Sequence, residues 1–378
     1  MKAEPRWCSQ VSIAACRAAD PGSNPGLGAT SMLQQLGLNS APRELLIPPR
    51  MREMKLRASY GGVLLELQGQ AVSFDSKKPQ EKCFVSHAHL DHLPSRSCRC
   101  VCSPETAALA RLRGVTLLED STPQIKLLDA GHVLGSRAAL IEDFLLFTGD
   151  ICLRSRGFME GFKPVKAQVL VIESTYGSSS FQFPDAEEVA KEARDLIEEM
   201  LSRGHPVVLM GYPLGKAQIL IHFFSSIARV VAHSTVAKFT EVYRRFGVDL
   251  PDVLSYPKAR LAKVLERESW VMLTPMYSST SPLIQALKRR HGVKTMAFSG
   301  WAVTSSFKAK LGADYAFPLS DHADFHDLLK VVEAVSPELV VTYHGQSSSL
   351  ARALRQMGFA AESLAEKKAI DLSLLWRR

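Results

Sequence analysis

Apolar residues along the chain fall into short runs that stop at polar clusters. From Gly61 onward, GVLLELQGQAVSFD reads as two short strands around Gly69 that end at Asp75. Cys83-Phe84-Val85 leads into HAHLDH, Phe144 to Phe147 (FLLF) into Thr148-Gly149-Asp150, Val169 to Ile172 (VLVI) into Glu173, and Leu339 to Tyr343 (LVVTY) into His344. Polar residues thus recur at the C-terminal tips of buried strands, where layered α/β folds place their sites. The middle of the chain has a different rhythm. Asp185 to Ser202 (DAEEVAKEARDLIEEMLS) predicts an amphipathic helix with acidic residues in its first turn, followed by a strand at Pro206 to Leu209. Further helices fit Lys216 to Ile227, Val236 to Phe246 and Ser281 to Arg290, with strands at Arg229 to Ala232 and Val271 to Leu273. This alternation predicts a second α/β unit inserted between Glu173 and His344.

Residues 1–53 show neither a period of 2 nor one of 3.6. They include a Pro/Gly/Ser/Asn/Ala tract from Ala18 to Ser31, so this N-terminal extension is expected to be disordered. Met51 and Met54 stand just before the first strand-like segment, and either could serve as a start; an ordinary flexible tail is the alternative. The whole chain, 46% hydrophobic and 22% charged, fits a globular protein. No apolar run approaches the ~18 residues of a membrane span, and no signal sequence is evident, so no membrane partner and a cytoplasmic location are expected. Seven cysteines at irregular spacing read as reduced thiols rather than a disulfide scaffold. A formal net charge of +8 favours polyanionic partners but decides little alone.

The chemistry concentrates in Ser86-His87-Ala88-His89-Leu90-Asp91-His92, where three imidazoles and a carboxylate fall within six residues. Borderline-soft divalent metals prefer that mixture of N and O ligands. An extended backbone would aim His87 and His89 to one side, and Asp91 and His92 could turn toward a second site. There is no Walker A loop, no GxSxG elbow and no GxGxxG after a strand.

HAHLDH matches the HxHxDH signature in full, and the chain resembles the metallo-β-lactamase superfamily. Asp75 fits its first motif, an acidic residue that orients the metal-binding loop; Ala130 to Ser136 (AGHVLGS) fits the third, and Thr148-Gly149-Asp150 the fourth. The resemblance implies that His87, His89 and His132 hold one zinc and Asp91 and His92 the other, with Asp150 bridging. Ile172 to Gly177 (IESTYG), Leu319 to Asp324 (LSDHAD) and Tyr343-His344-Gly345 resemble motifs A, B and C of the β-CASP nucleases, in the same order and spacing. That adds His344 as a ligand, Glu173 and His322 as catalytic residues beside Asp91, and a cap between motifs A and B. Leu214 to Gln218 (LGKAQ) and Phe298 to Trp301 (FSGW) resemble cap segments of bacterial exonucleases associated with DNA ligases and of archaeal relatives. The resemblance covers residues 55 to 365.

The implied architecture is α/β: a metallo-β-lactamase αββα sandwich from residues 54–177 and 313–378, with an α/β β-CASP cap at 178–312. The implied function is a zinc-dependent phosphodiesterase for single-stranded RNA or DNA, using two Zn2+ (Mn2+ an alternative) and hydroxide attack between the metals. An exonuclease in DNA end processing or RNA processing leads; an RNA endonuclease of 3′-end processing type and a catalytically silent binding subunit are the alternatives. DNA ligase or RNA-processing factors are the implied partners, for a monomer or homodimer.

Other residues stay open at this level. Lys216, opening a helix after Gly215, could grip a phosphate or be a solvated first-turn lysine. Arg137 could contact phosphate or a neighbouring carboxylate. Ser347, Ser348 and Ser349 could bind phosphate or cap a helix. Trp301 and Phe298 could stack bases, although core positions suit them better. Cys98, Cys100 and Cys102 alternate, as a half-buried strand explains, with a metal or redox cluster as the alternative. His205, His222, His233, His291 and His326 lack partners at ligand spacing.

Overall fold

Strand Val169–Glu173 shows how the layers arise: its odd residues Val169 and Val171 enter one core, and its even residues Leu170 and Ile172 another. A strand buried on both faces needs a layer on each side. The computed structural model describes residues 54–376 except 68 and 121–123, so the expected disorder of residues 1–53 lies outside the described residues. Val169–Glu173 is central in a six-stranded sheet ordered Ala361–Ser363, Leu339–Tyr343, Val169–Glu173, Leu145–Phe147, Arg137–Ile141, Ile125–Asp129. One face packs against helices Phe325–Val335 and Ser347–Gln356 through Leu328, Val332, Leu350 and Leu354. The other meets a five-stranded sheet ordered Ala369–Asp371, Met54–Ser59, Gly62–Leu67, Gln70–Phe74, Lys82–Phe84. Between the sheets, Phe74, Phe84 and Phe147 pack at centroid distances of 4.9–6.0 Å. Beyond the five-stranded sheet, helix Pro104–Arg111 shares a core with Cys83, Val85 and Leu93. This is the expected αββα sandwich.

The third sheet is wholly parallel, ordered Leu254–Ser255, Arg229–Ala232, Trp270–Thr274, Val207–Met210, Lys294–Phe298, Tyr315–Phe317. Its central strands VVLM and WVMLT are buried throughout, as helices on both faces require. Helix Ala186–Ser202 starts where Asp185 accepts from the amides of Glu187 and Glu188, and lays Val189, Ala193 and Ile197 on one face of the sheet. Helix Pro282–His291 covers the other face through Ile284 and Leu287.

Two details differ from the sequence reading. Met54–Ser59 is a strand, pairing with Gly62–Leu67 and, across the chain, with Ala369–Asp371; its MKLRAS pattern is too polar to stand out without that partner. The parallel sheet also runs past residue 312, because Tyr315–Phe317 closes its edge beside Lys294–Phe298. No helix of the described residues is long and apolar enough to cross a membrane.

Candidate metal centre

Asp75 ends strand Gln70–Phe74 with a left-handed φ of 51°. That turn buries its carboxylate, where one oxygen accepts from the Ser86 amide at 2.7 Å and the other from Ser86 Oγ at 2.6 Å and His92 Nδ1 at 2.8 Å. Asp75 thereby ties Ser86, at the start of the HAHLDH loop, to His92 at its end. Gly149 (φ 57°) lets the Asp150 loop press against Ser86: a Cβ there would meet the Ser86 Cβ at 2.6 Å.

His87 Nε2 and His132 Nε2 lie 3.0 and 3.1 Å from His89 Nδ1. Asp150 Oδ2 stands 3.5 Å from His87, 3.8 Å from His132 and 3.2 Å from His92 Nε2. The far nitrogen of each ring in the trio is held: His87 Nδ1 by Ser86 Oγ at 2.9 Å, His89 Nε2 by the Leu214 carbonyl at 3.1 Å, and His132 Nδ1 by the Asp321 carbonyl at 2.7 Å. Fixing the far nitrogen sets the tautomer and aims the other lone pair inward, as for metal-ligating histidines. Burial lowers the pKa of all three, which keeps them neutral and able to coordinate. His92, also buried, is instead pushed up because the Asp150 and Asp75 carboxylates outweigh burial.

A second donor group, Asp91, His92 and His344, gathers beside the first. His344 has a left-handed φ of 58°, stacks on His92 with centroids 5.0 Å apart, and has Nε2 2.7 Å from the Gly61 carbonyl. Gly345 makes that turn feasible, since a Cβ would meet Ser174 and Thr175 backbone at 2.5 Å. All seven expected ligands therefore fall in two adjoining groups. Their chemistry fits divalent ions: mixed imidazole and carboxylate donors converge, and His92 Nε2 and Asp150 Oδ1 are buried with no protein hydrogen-bond partner.

His322 flanks the first group, beside Asp150 and His132. Its Nδ1 lies 3.2 Å from both Glu173 oxygens and 4.0 Å from Asp150, and its ring packs 4.4 Å from that of His132. Glu173 is fully buried and also accepts from the Ile151 amide at 2.7 Å and Thr175 Oγ1 at 2.5 Å, so it cannot swing away. Burial opposes the charged imidazole, but Glu173 and Asp150 lift His322 to about 9. The donors open into a cavity of about 540 Å³ shared by Arg113, Tyr176, Tyr212, Trp301 and His322.

The phosphate-binding expectations need correction. Lys216 is 1% exposed with Nζ 3.3 Å from Asp321 Oδ1, so its charge serves that buried carboxylate. Arg137 pairs with Asp129 and lies 3.9 Å from Glu105 in a different cavity of about 510 Å³. Ser347 is buried, its hydroxyl accepting from Ser363 at 3.0 Å, and Ser348 is half-buried; Gln346, not a serine, is the helix N-cap. Phe298 is core, as read, whereas Trp301 lines the cleft. Sequence reasoning missed Arg113 and Tyr212. Tyr212 follows strand Val207–Met210 by two residues, the strand-end position that marked the other site residues; nothing local marks Arg113.

No family model matches the chain. It is 34% identical over 317 residues to a probable DNA ligase from Opitutus terrae, covering 79% of this chain and 30% of that protein. A probable RNase MJ4 from Methanocaldococcus jannaschii is 24% identical over 58% of this chain and 61% of its own length. The human DNA cross-link repair 1A protein is 25% identical over 58% of this chain and 22% of its own. The chain thus spans less than two thirds of each of these relatives. With the sandwich, the HxHxDH loop and these relatives together, the chain belongs to the metallo-β-lactamase superfamily, on its β-CASP branch.

Proposed function

We propose that the chain hydrolyses phosphodiester bonds of single-stranded nucleic acid with two divalent ions, zinc foremost, trimming ends as a cytoplasmic exonuclease. The observation that carries this reading is the Glu173–His322 pair standing 4.0 Å from Asp150, at the junction of both donor groups. His87, His89 and His132 would hold one ion, Asp91, His92 and His344 the other, with Asp150 between them. Bound there, the ions supply Lewis acidity, which acidifies water and neutralises phosphodiester charge.

The chain's residues do the rest. Hydrolysis expels a poor alkoxide, which needs a proton from a positioned acid. Glu173, engaged by Nδ1, stabilises the imidazolium and leaves Nε2 of His322 to deliver that proton. Trp301 and Tyr212, partly exposed on the cleft, offer faces for unpaired bases. The parallel sheet and its helices act as the cap that bounds this cleft. Three relatives are named for work on DNA or RNA; the Opitutus name favours DNA ends as substrate and a DNA ligase as partner.

Metal-loaded protein given end-labelled linear and circular single strands of DNA and RNA tests the reading. Linear strands should shorten from an end while circles persist. Circles cut as readily would overturn the exonuclease assignment. Binding without cleavage of either, at full metal content, would leave a silent binding subunit.

A further inference from the structure

We propose that Cys83, Cys98 and Cys100 form a second, thiolate-type site for a soft divalent ion of the zinc class, separate from the His/Asp centre. Cys83 is central in strand Lys82–Phe84, and Cys98 and Cys100 flank Arg99 in strand Cys98–Cys100, so the last two face the same way. The three sulfurs lie within 4.8 Å of one another, and Cys83 Sγ and Cys98 Sγ are 3.9 Å apart. Thiolates bound tetrahedrally at about 2.3 Å from zinc are separated by about 3.8 Å, so the pair already has coordination spacing. A disulfide would need the sulfurs to close to about 2.05 Å.

Burial suits a closed site with one entrance. Cys83 and Cys100 are 4% and 1% exposed, while half-buried Cys98 leaves a path for the ion and room for a solvent ligand. Hydrogen bonds from Cys100 and Cys83 lower the Cys98 thiol, whereas Cys100 is raised, as when sulfurs share one thiolate. Ion binding would release the remaining thiol protons to solvent.

The two segments are already joined: Val101 N donates to Cys83 O at 2.8 Å and Val85 N to Val101 O at 3.0 Å. Cys83 lies four residues before His87, and Cys100 three before Ser103, which caps helix Pro104–Arg111. An ion here would lock the strand that delivers HAHLDH to the segment that starts this helix.

Cobalt substitution of reduced, purified protein tests the proposal. Wild type should show thiolate-to-cobalt charge-transfer absorption, which His/Asp ligands alone cannot give, and bind one equivalent more than Cys98→Ser. Asp150→Ala should keep that band; Cys98→Ser and Cys100→Ser should lose it. Alkylation of wild type provides a readout independent of whether the variants fold: added Zn2+ should protect Cys98, the half-buried thiol that reagent can reach. Absence of the band in cobalt-loaded wild type, alkylation indifferent to Zn2+, or a Cys83–Cys98 disulfide in protein purified without oxidant would each overturn the site.

Discussion

The two donor groups of the centre are built differently. His87 and His132 are enclosed and His89 is half-buried, and each far ring nitrogen of the three is held by an acceptor, two of them backbone carbonyls at Leu214 and Asp321. In the other group the Asp91 side chain is 71% exposed and His344 is tied to Gly61 O; His92 alone is braced as firmly, by Asp75. Ligands fixed beforehand lose less freedom when an ion arrives. The enclosed group should therefore bind more tightly, and the open group should exchange first and shape itself around substrate. The Leu214 carbonyl lies just before the helix that carries Lys216, and Lys216 pairs with Asp321, so the third sheet's connections help set the first group.

The largest effect should come from the residue common to both groups. Asp150→Ala removes the carboxylate facing His87, His92 and His132, so hydrolysis should fall to background and metal analysis should find both ions weakened. Full metal content in an inactive variant would show that Asp150 acts on substrate rather than on ions. His344→Ala should be more selective, depleting the open group while the enclosed one stays loaded.

His322→Ala should lower the rate by about 10²- to 10⁴-fold, the usual worth of a positioned acid, with both ions retained. A substrate with a sulfur leaving group, which needs little protonation, should recover much of that loss. Equal slowness on oxygen- and sulfur-leaving substrates, or loss of metal, would make His322 a brace for His132 instead.

Lys216→Met should act through the enclosed group. Removing the ammonium leaves Asp321 buried without its cation, and the Asp321 carbonyl holds His132. Outer partners of ligating histidines are worth roughly 10- to 100-fold in metal affinity. Chelator titration should then release the enclosed-group ion earlier than in the wild type. An unchanged titration would show that the braces are dispensable.

Much of this was legible in the sequence because ligands cluster where strands end. HAHLDH, Asp150, Glu173 and His344 each follow an apolar run, and local pattern sufficed. The place of Lys216 is not legible this way, because a lysine at a helix start usually faces water; only the packing of Asp321 against it, 105 residues away in sequence, buries its charge. The cleft position of Trp301 is not legible either, because composition cannot say which side of a strand end a ring takes. Strand Met54–Ser59 depends on Ala369–Asp371 from the far end of the chain, a pairing that no window of local pattern contains.

Arg113 should give the smallest and most specific change. It lines the cleft, its guanidinium lies 4.9 Å from the Phe239 ring centroid, and its buried Nε has no protein hydrogen-bond partner. A cation held against an aromatic face beside an acidic donor set is well placed to meet a backbone phosphate entering the cleft. Each phosphate neutralised on a single strand contributes about 0.7 to the slope of log affinity against log salt. Arg113→Gln should therefore make that slope shallower by about 0.7 for single-stranded DNA, leaving metal content intact. Loss of affinity at every salt with an unchanged slope would assign Arg113 to packing against Phe239, and substrate capture would then fall to the aromatic faces of Tyr212 and Trp301.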